Sequence, residues 1–163
     1  MNEEYENGNV AQELYEGIIS MFDEKGYTYT REDDNLLVRC TLKGEDIPMD
    51  FIFVVRDDKK VIQVYSPLPF IISENKRNDV AIALTYINDH LVNGSFDMDL
   101  SEGRVCFRQT TCYIDSILGK GLFEYMLMVS AHTTDDYNDK ILMIEKGMLT
   151  VEQFIESEER ERN

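Results

Sequence analysis

The residues of this chain best suited to nucleophilic or metal chemistry are three cysteines, Cys40, Cys106 and Cys112, and two histidines, His90 and His132. Only Cys106 has a chemical context. In "RVCFRQT" it alternates with Arg104 and Arg108, so the three side chains leave an extended strand on one face. Nearby positive charge lowers a thiol pKa and favours the nucleophilic thiolate. A cysteine nucleophile also needs a base within hydrogen-bond reach, and the sequence places His90 and His132 near helix ends without tying either to Cys106. A small cysteine-dependent enzyme using Cys106 is therefore the alternative reading. Cys40 falls on an apolar strand face and reads as core.

Metal and phosphate chemistry find little support. The cysteines and histidines are scattered, with none of the close paired spacing of zinc ligands. A calcium loop begun at Asp136 would need Gly and Glu where Ile141 and Gly147 stand; "DMDLSEG" places Glu102 at the glycine position. Gly119-Lys120-Gly121 lacks the phosphate-loop spacing and reads as an irregular helix start. No catalytic, cofactor-binding or metal-binding residue is assigned, and no cofactor is implied. Met126, Met128, Met143 and Met148, concentrated late in the chain, are the candidate partner-binding residues, because flexible thioethers suit adaptable surfaces. Core filling at helical spacing is the competing account; Met128 stands off the Leu122–Met126–Val129 stripe.

The balance of charge narrows the partners. Thirty-two acidic and 16 basic residues in 163 give a formal charge of -16. Nucleic-acid affinity comes from Lys and Arg on phosphates, and anionic membranes attract the same residues. Neither partner is expected. The opening "MNEEYENGNVAQ" lacks the positive start and apolar core of a signal peptide, and no 18-residue apolar run occurs. With an odd cysteine count, this points to reduced thiols and a cytoplasmic location.

The elements that must position these residues follow from periodicity. Residues 1–9 are polar and expected to be disordered, residues 10–156 form one domain, and 157–163 form a charged tail. Ala11, Leu14, Tyr15, Ile18, Ile19 and Phe22 share one face of a helix that stops at Gly26. "GYTYTRE", "LLVRCTL", "MDFIFVVR" and "VIQVYS" read as four strands joined by turns, the third an interior strand because Ile52 and Val54 lie opposite its apolar face. "PLPF" is expected to break the ladder. Ser73 would cap a second helix with the stripe Val80, Leu84, Ile87 and Leu91.

"SFDMDL" and "RVCFRQT" form a hairpin in the register that sets Met98 against Val105 and Phe96 against Phe107; a one-residue slip would turn apolar side chains to water. Asp97 and Asp99 then join Arg104 and Arg108 on a charged outer face, where loss of Asp99 should cost little. A third helix carries Ile117, Leu118, Leu122, Tyr125, Met126 and Val129, a turn at "TTDD" precedes a short fourth ending at Gly147, and Thr150 with Gln153 forms a capping box for "VEQFIE". The fold class is α+β: an antiparallel sheet of five to six strands in α-β-β-β-β-α-β-β-α order, flanked by helices.

In this order the sequence resembles the YbjN family of bacterial sensory transduction regulators from about Tyr27 to Gly147. The resemblance is carried by "VIQVYSPLP", by Arg77, Ala81, Leu84 and Asn88, by "NGSFDMDLSEGRVCFR", and by the Met-rich stretch reaching "DDYNDKILMIEKG". It implies the type III secretion chaperone-like fold, frequent homodimers, and no shared reaction or cofactor. The expected function is a non-enzymatic protein-binding module, chaperone-like or regulatory, with a protein or peptide partner. Ile52 and Val54 need cover, from a helix of the same chain or from a second copy, and the resemblance favours a homodimer.

Overall fold

The computed structural model describes residues 10–162; the expected disorder of residues 1–9 lies outside them. The elements are α1 (Val10–Lys25), β1 (Tyr29–Glu32), β2 (Leu37–Leu42), β3 (Met49–Arg56), β4 (Val61–Ile71), α2 (Arg77–His90), β5 (Ser95–Met98), β6 (Arg104–Cys112), α3 (Lys120–Glu145) and α4 (Val151–Arg162). Six strands form one antiparallel sheet in the order β1-β2-β3-β4-β6-β5. Among the described residues no helix is long and apolar enough to cross a membrane.

Strand alternation decides which face is buried. Val38, Phe53, Val64 and Gln109 stand in one cross-strand row, and Ser66 and Phe107 in the next. All of these are buried. The α1 residues expected on one face, Ala11 to Phe22, are buried against Val38, Phe51, Phe53, Val55, Ile62 and Val64. The α2 residues Val80, Leu84 and Ile87 bury against Leu68, Phe96, Val105 and Phe107 in a second apolar cluster. The α3 helix serves both, with Phe123, Met126 and Leu127 in the first cluster and Ile141 and Ile144 in the second. Thus α1, α2 and α3 all cover the same side of the sheet.

The β5–β6 hairpin has the expected register, Phe96 opposite Phe107 and Met98 opposite Val105. The β3 strand is interior as expected, between β2 and β4. β4 departs from expectation: it continues through Pro67 and Pro69 to Ile71. The prolines interrupt pairing without ending the strand, and the β4–β6 register is irregular between Pro67 and Ile71. On the other side, β3–β4 pairing runs only from Arg56–Val61 to Ile52–Tyr65. Past Tyr65 that flank of β4 has no paired strand, which is where residues without an amide donor are tolerated.

The helices after β6 need three corrections. α3 begins at Lys120, leaving Ile117 fully exposed in the preceding loop. The "TTDD" turn is absent: α3 is one helix of 26 residues through Glu145. Its buried face is Phe123, Met126, Leu127, Ser130, Ala131, Thr134, Asn138, Ile141 and Ile144, whereas Tyr125 is exposed. Tertiary burial overrides the weak helix preference of Thr and Asp, and three polar residues on the buried face hid the stripe from a hydrophobicity count. Finally, α4 extends to Arg162, so residues 157–162 are helical; Glu158 is buried and its carboxylate pairs with the Lys140 ammonium. The Thr150–Gln153 capping box is present in both directions, at 3.0 and 3.2 Å.

Candidate protein-binding surface

With the helices on one side, the other face of the sheet is bare. Thr30, Arg39, Ile52, Tyr65, Arg108 and Ser95 form one row across all six strands, and Glu32, Leu37, Val54, Gln63 and Thr110 form the next. Leu37, Ile52, Val54 and Tyr65 are half-buried by strand neighbours alone. Charges of both signs are interspersed: Arg39 pairs with Glu32 at 3.3 Å and Arg108 with Asp97 at 2.7 Å. Gln63 is held flat, accepting from the Tyr65 hydroxyl at 2.7 Å and donating to Thr110 Oγ1 at 3.1 Å. Where β3 and β4 part, a hollow of about 460 Å³ opens, lined by Thr28, Thr30, Arg39, Thr41, Asp50, Ile52 and Pro67. A surface of half-buried apolar side chains, hydroxyls and paired charges suits contact with a peptide or protein; it contains no nucleophile–base pair. A second, shallower groove of about 520 Å³ lies between α2 and α4, lined by Ala81, Ile82, Thr85, Tyr86, Asp89 and Ile155.

Cys106 points to the bare face, as its alternation requires, but its surroundings oppose reactivity. Burial pushes the thiol up to about 11; Asp97 pushes the same way, against a backbone hydrogen bond from Ser66 and the Arg108 charge. The thiol donates to the Phe107 carbonyl at 3.3 Å. His90 Nδ1 lies 2.8 Å from the Tyr86 carbonyl, within its own helix. Cys40 is in the core as expected, pushed up to about 12 by burial and then by Asp50.

The four methionines do not form one patch. Met126 is buried in the first core cluster, Met128 is exposed on another side of α3, Met143 is half-buried and Met148 is exposed beyond the helix. Met128 and Met143 are 15 residues apart, roughly 22 Å along a helix at 1.5 Å per residue. The bare sheet face escaped sequence reasoning because alternation reveals that a strand has two faces, not which one the helices take. The half-apolar second face of β3, Ile52 and Val54, was its one visible sign.

Several residues of the family-like pattern have structural duties. Asn88, on α2, accepts from the Phe96 amide at 2.8 Å and donates to the Phe96 carbonyl at 3.0 Å, acting as a pairing partner for edge strand β5. Arg77 donates to the carbonyls of Ile72, Leu100 and Ser101. Gly103, at φ +74°, comes so close to the Ile72 carbonyl that a Cβ would sit 2.1 Å from its oxygen. Asp99, expected on a charged outer face with Arg104 and Arg108, folds the hairpin loop: its carboxylate accepts from Ser101 N at 2.8 Å, Ser101 Oγ at 2.6 Å and Glu102 N at 3.2 Å. Ser73 does not cap α2; a short 3-10 turn intervenes, and its hydroxyl donates to Glu145 at 3.1 Å.

A comparison with curated proteins finds no relative of significant similarity. A crystal structure of YbjN from E. coli superposes with a TM-score of 0.57 at 12% identity, covering 83% of this chain and 94% of that one. The crystal structure of the ExsC–ExsE complex gives 0.58 at 10% identity, with 80% and 94% covered. At such identities the likeness shows the fold, and the fold is the type III secretion chaperone-like one. The family model YbjN, described as "Putative bacterial sensory transduction regulator", matches residues 15–143. With most of its length so matched, the chain belongs to the YbjN family.

Proposed function

We propose that the chain is a non-enzymatic protein-binding module, chaperone-like or regulatory, which acts in the cytoplasm as a homodimer and takes a protein or peptide partner. The observation that carries this reading is the bare face of the sheet, with Leu37, Ile52, Val54 and Tyr65 half-exposed on the three neighbouring strands β2, β3 and β4 and no helix over them. Similarity to a neighbour crystallised as the ExsC–ExsE complex supports a protein partner. The three free thiols fit a reducing compartment. The acidic charge disfavours nucleic acid and anionic membranes as partners.

Affinity capture from the native cytoplasm, followed by mass spectrometry, tests the reading. A partner lost on Ile52→Glu and Val54→Glu but retained on Met148→Glu is expected. Partners insensitive to the sheet face would overturn its role. Sedimentation equilibrium tests association: a species of twice 19.0 kDa at micromolar concentration is expected, strengthened by salt because like-charged copies repel less when screened. A monomer at every salt concentration would remove the dimer.

A further inference from the structure

The buried side of α3 carries Ser130, Thr134 and Asn138 at four-residue spacing, all at or below 1% exposure. They lie where α3 passes from one apolar cluster to the other. Gln109 completes the first step of this stripe, donating to Ser130 Oγ at 2.8 Å and to the Met126 carbonyl at 2.9 Å. The next steps have no such partner. Thr134 Oγ1, both side-chain polar atoms of Asn138, and Ser66 Oγ on β4 are buried and unpaired.

Ser66 and Thr134 each stand one step beyond the point where Gln109 meets Ser130. From the Val64–Gln109 pair, the sheet advances one row to Ser66–Phe107, about 6.6–6.8 Å at the usual strand rise. From Ser130, α3 advances one turn to Thr134, about 6 Å. Both steps lead from the first cluster toward the second, bringing Ser66 and Thr134 to the same level. It is also the level at which β3–β4 pairing ends and Phe51 and Pro67 line the hollow on the opposite face.

A buried hydroxyl or amide left without a partner bears the full desolvation penalty of that group. Three such residues in one seam amount to a substantial fraction of ordinary domain stability. Buried water commonly makes two to four hydrogen bonds to polar groups of this kind. We infer that the seam formed by Ser66, Thr134 and Asn138 is an internal water-binding site, in which water bridges β4 to α3 and stands between the two apolar clusters. The amide of Asn138 offers both donors and acceptor; the two hydroxyls can each donate or accept.

A high-resolution crystal structure tests the site. Solvent density within about 3.2 Å of polar atoms from at least two of Ser66, Thr134 and Asn138 is expected. Absence of such density, or rotation of these side chains onto protein partners, overturns the inference. Stability gives an independent reading that requires no crystal. If water is bound, Asn138→Leu removes its best partner and strands the two hydroxyls, so the urea midpoint falls. If the seam is dry, the same change relieves a buried unsatisfied amide without losing volume, and a raised midpoint overturns the site. Should Asn138→Leu not fold, Thr134→Val supplies the same comparison of sign.

Discussion

Replacing Phe107 with Ala probes the register on which half of the fold depends. The Phe107 ring is fully buried in the second apolar cluster and meets the Phe96 ring edge-on, with centroids 5.1 Å apart. Truncation of a buried Phe costs about 3–5 kcal/mol. On one side the ring packs on the backbone of Gly94, whose missing Cβ would lie 2.4 Å from the ring tip. No side chain at that position can relax into the space, which favours the upper part of the range. For a protein of this size each kcal/mol moves Tm by about 2–4 °C, so about 4 kcal/mol predicts a fall of roughly 8–16 °C. The control is Asp97→Ala on the same hairpin, which removes a half-exposed ion pair with Arg108 and should stay near 0.5 kcal/mol. Urea titration followed by far-ultraviolet circular dichroism compares the two. Equal midpoints would refute the assignment of buried and exposed faces.

Further tests bear on other elements. Asn88→Ala leaves the Phe96 amide and carbonyl without their side-chain partner and should cost about 1–3 kcal/mol, read as a lower urea midpoint. Lys140→Met strands the buried Glu158 carboxylate; because Lys140 is about a quarter exposed, the loss should be about 1–3 kcal/mol, below that of a fully buried pair. Thiol labelling in native buffer should modify exposed Cys112 first, Cys106 slowly, and Cys40 only on unfolding, since burial holds the latter two thiols protonated. Faster labelling of Cys106 than of Cys112 would restore the enzyme reading. Asp33, lowered by hydrogen bonds from Arg31 and then Tyr15, together with Asp57 and Asp99, contributes stability present above the ordinary value of 3.8 and lost as pH falls through the lowered folded values. Tm should therefore decline in acid, and less steeply in Asp33→Asn.

Local pattern made some of this architecture legible and left other parts hidden. Alternation in "MDFIFVVR" and "SFDMDL" was sufficient for burial and register, because a strand's period fixes which side chains share a face. Periodicity in α1 was equally sufficient. The course of α3 was not: Ser130, Thr134 and Asn138 sit on its buried side, so polarity no longer tracks exposure there. Thr and Asp around residue 135 suggest a turn only when tertiary packing is ignored. The two prolines in β4 were correctly recognised as poor ladder residues, but their effect depends on which neighbour stands opposite. The candidate surface was hidden for a similar reason, since one strand cannot say where the helices lie. Asp99 shows the limit of charge patterning: its carboxylate serves the hairpin loop.

The strand order carries a consequence for synthesis on the ribosome. β4 pairs with β6 between Val61–Cys112 and Ser66–Phe107, partners roughly 40 to 50 residues apart. Contacts so distant in sequence slow folding, because the chain must close a long loop before they form. The first apolar cluster also requires Phe123, Met126 and Leu127 from α3. A nascent chain that has released only α1 and β1–β4 therefore presents the inner side of its sheet without its final cover and leaves the β6-pairing flank of β4 open. Such surfaces invite aggregation before the later segments emerge. The vulnerable interval ends when α3 clears the exit tunnel, and chains stalled before Leu127 should be bound by nascent-chain chaperones while full-length chains are released.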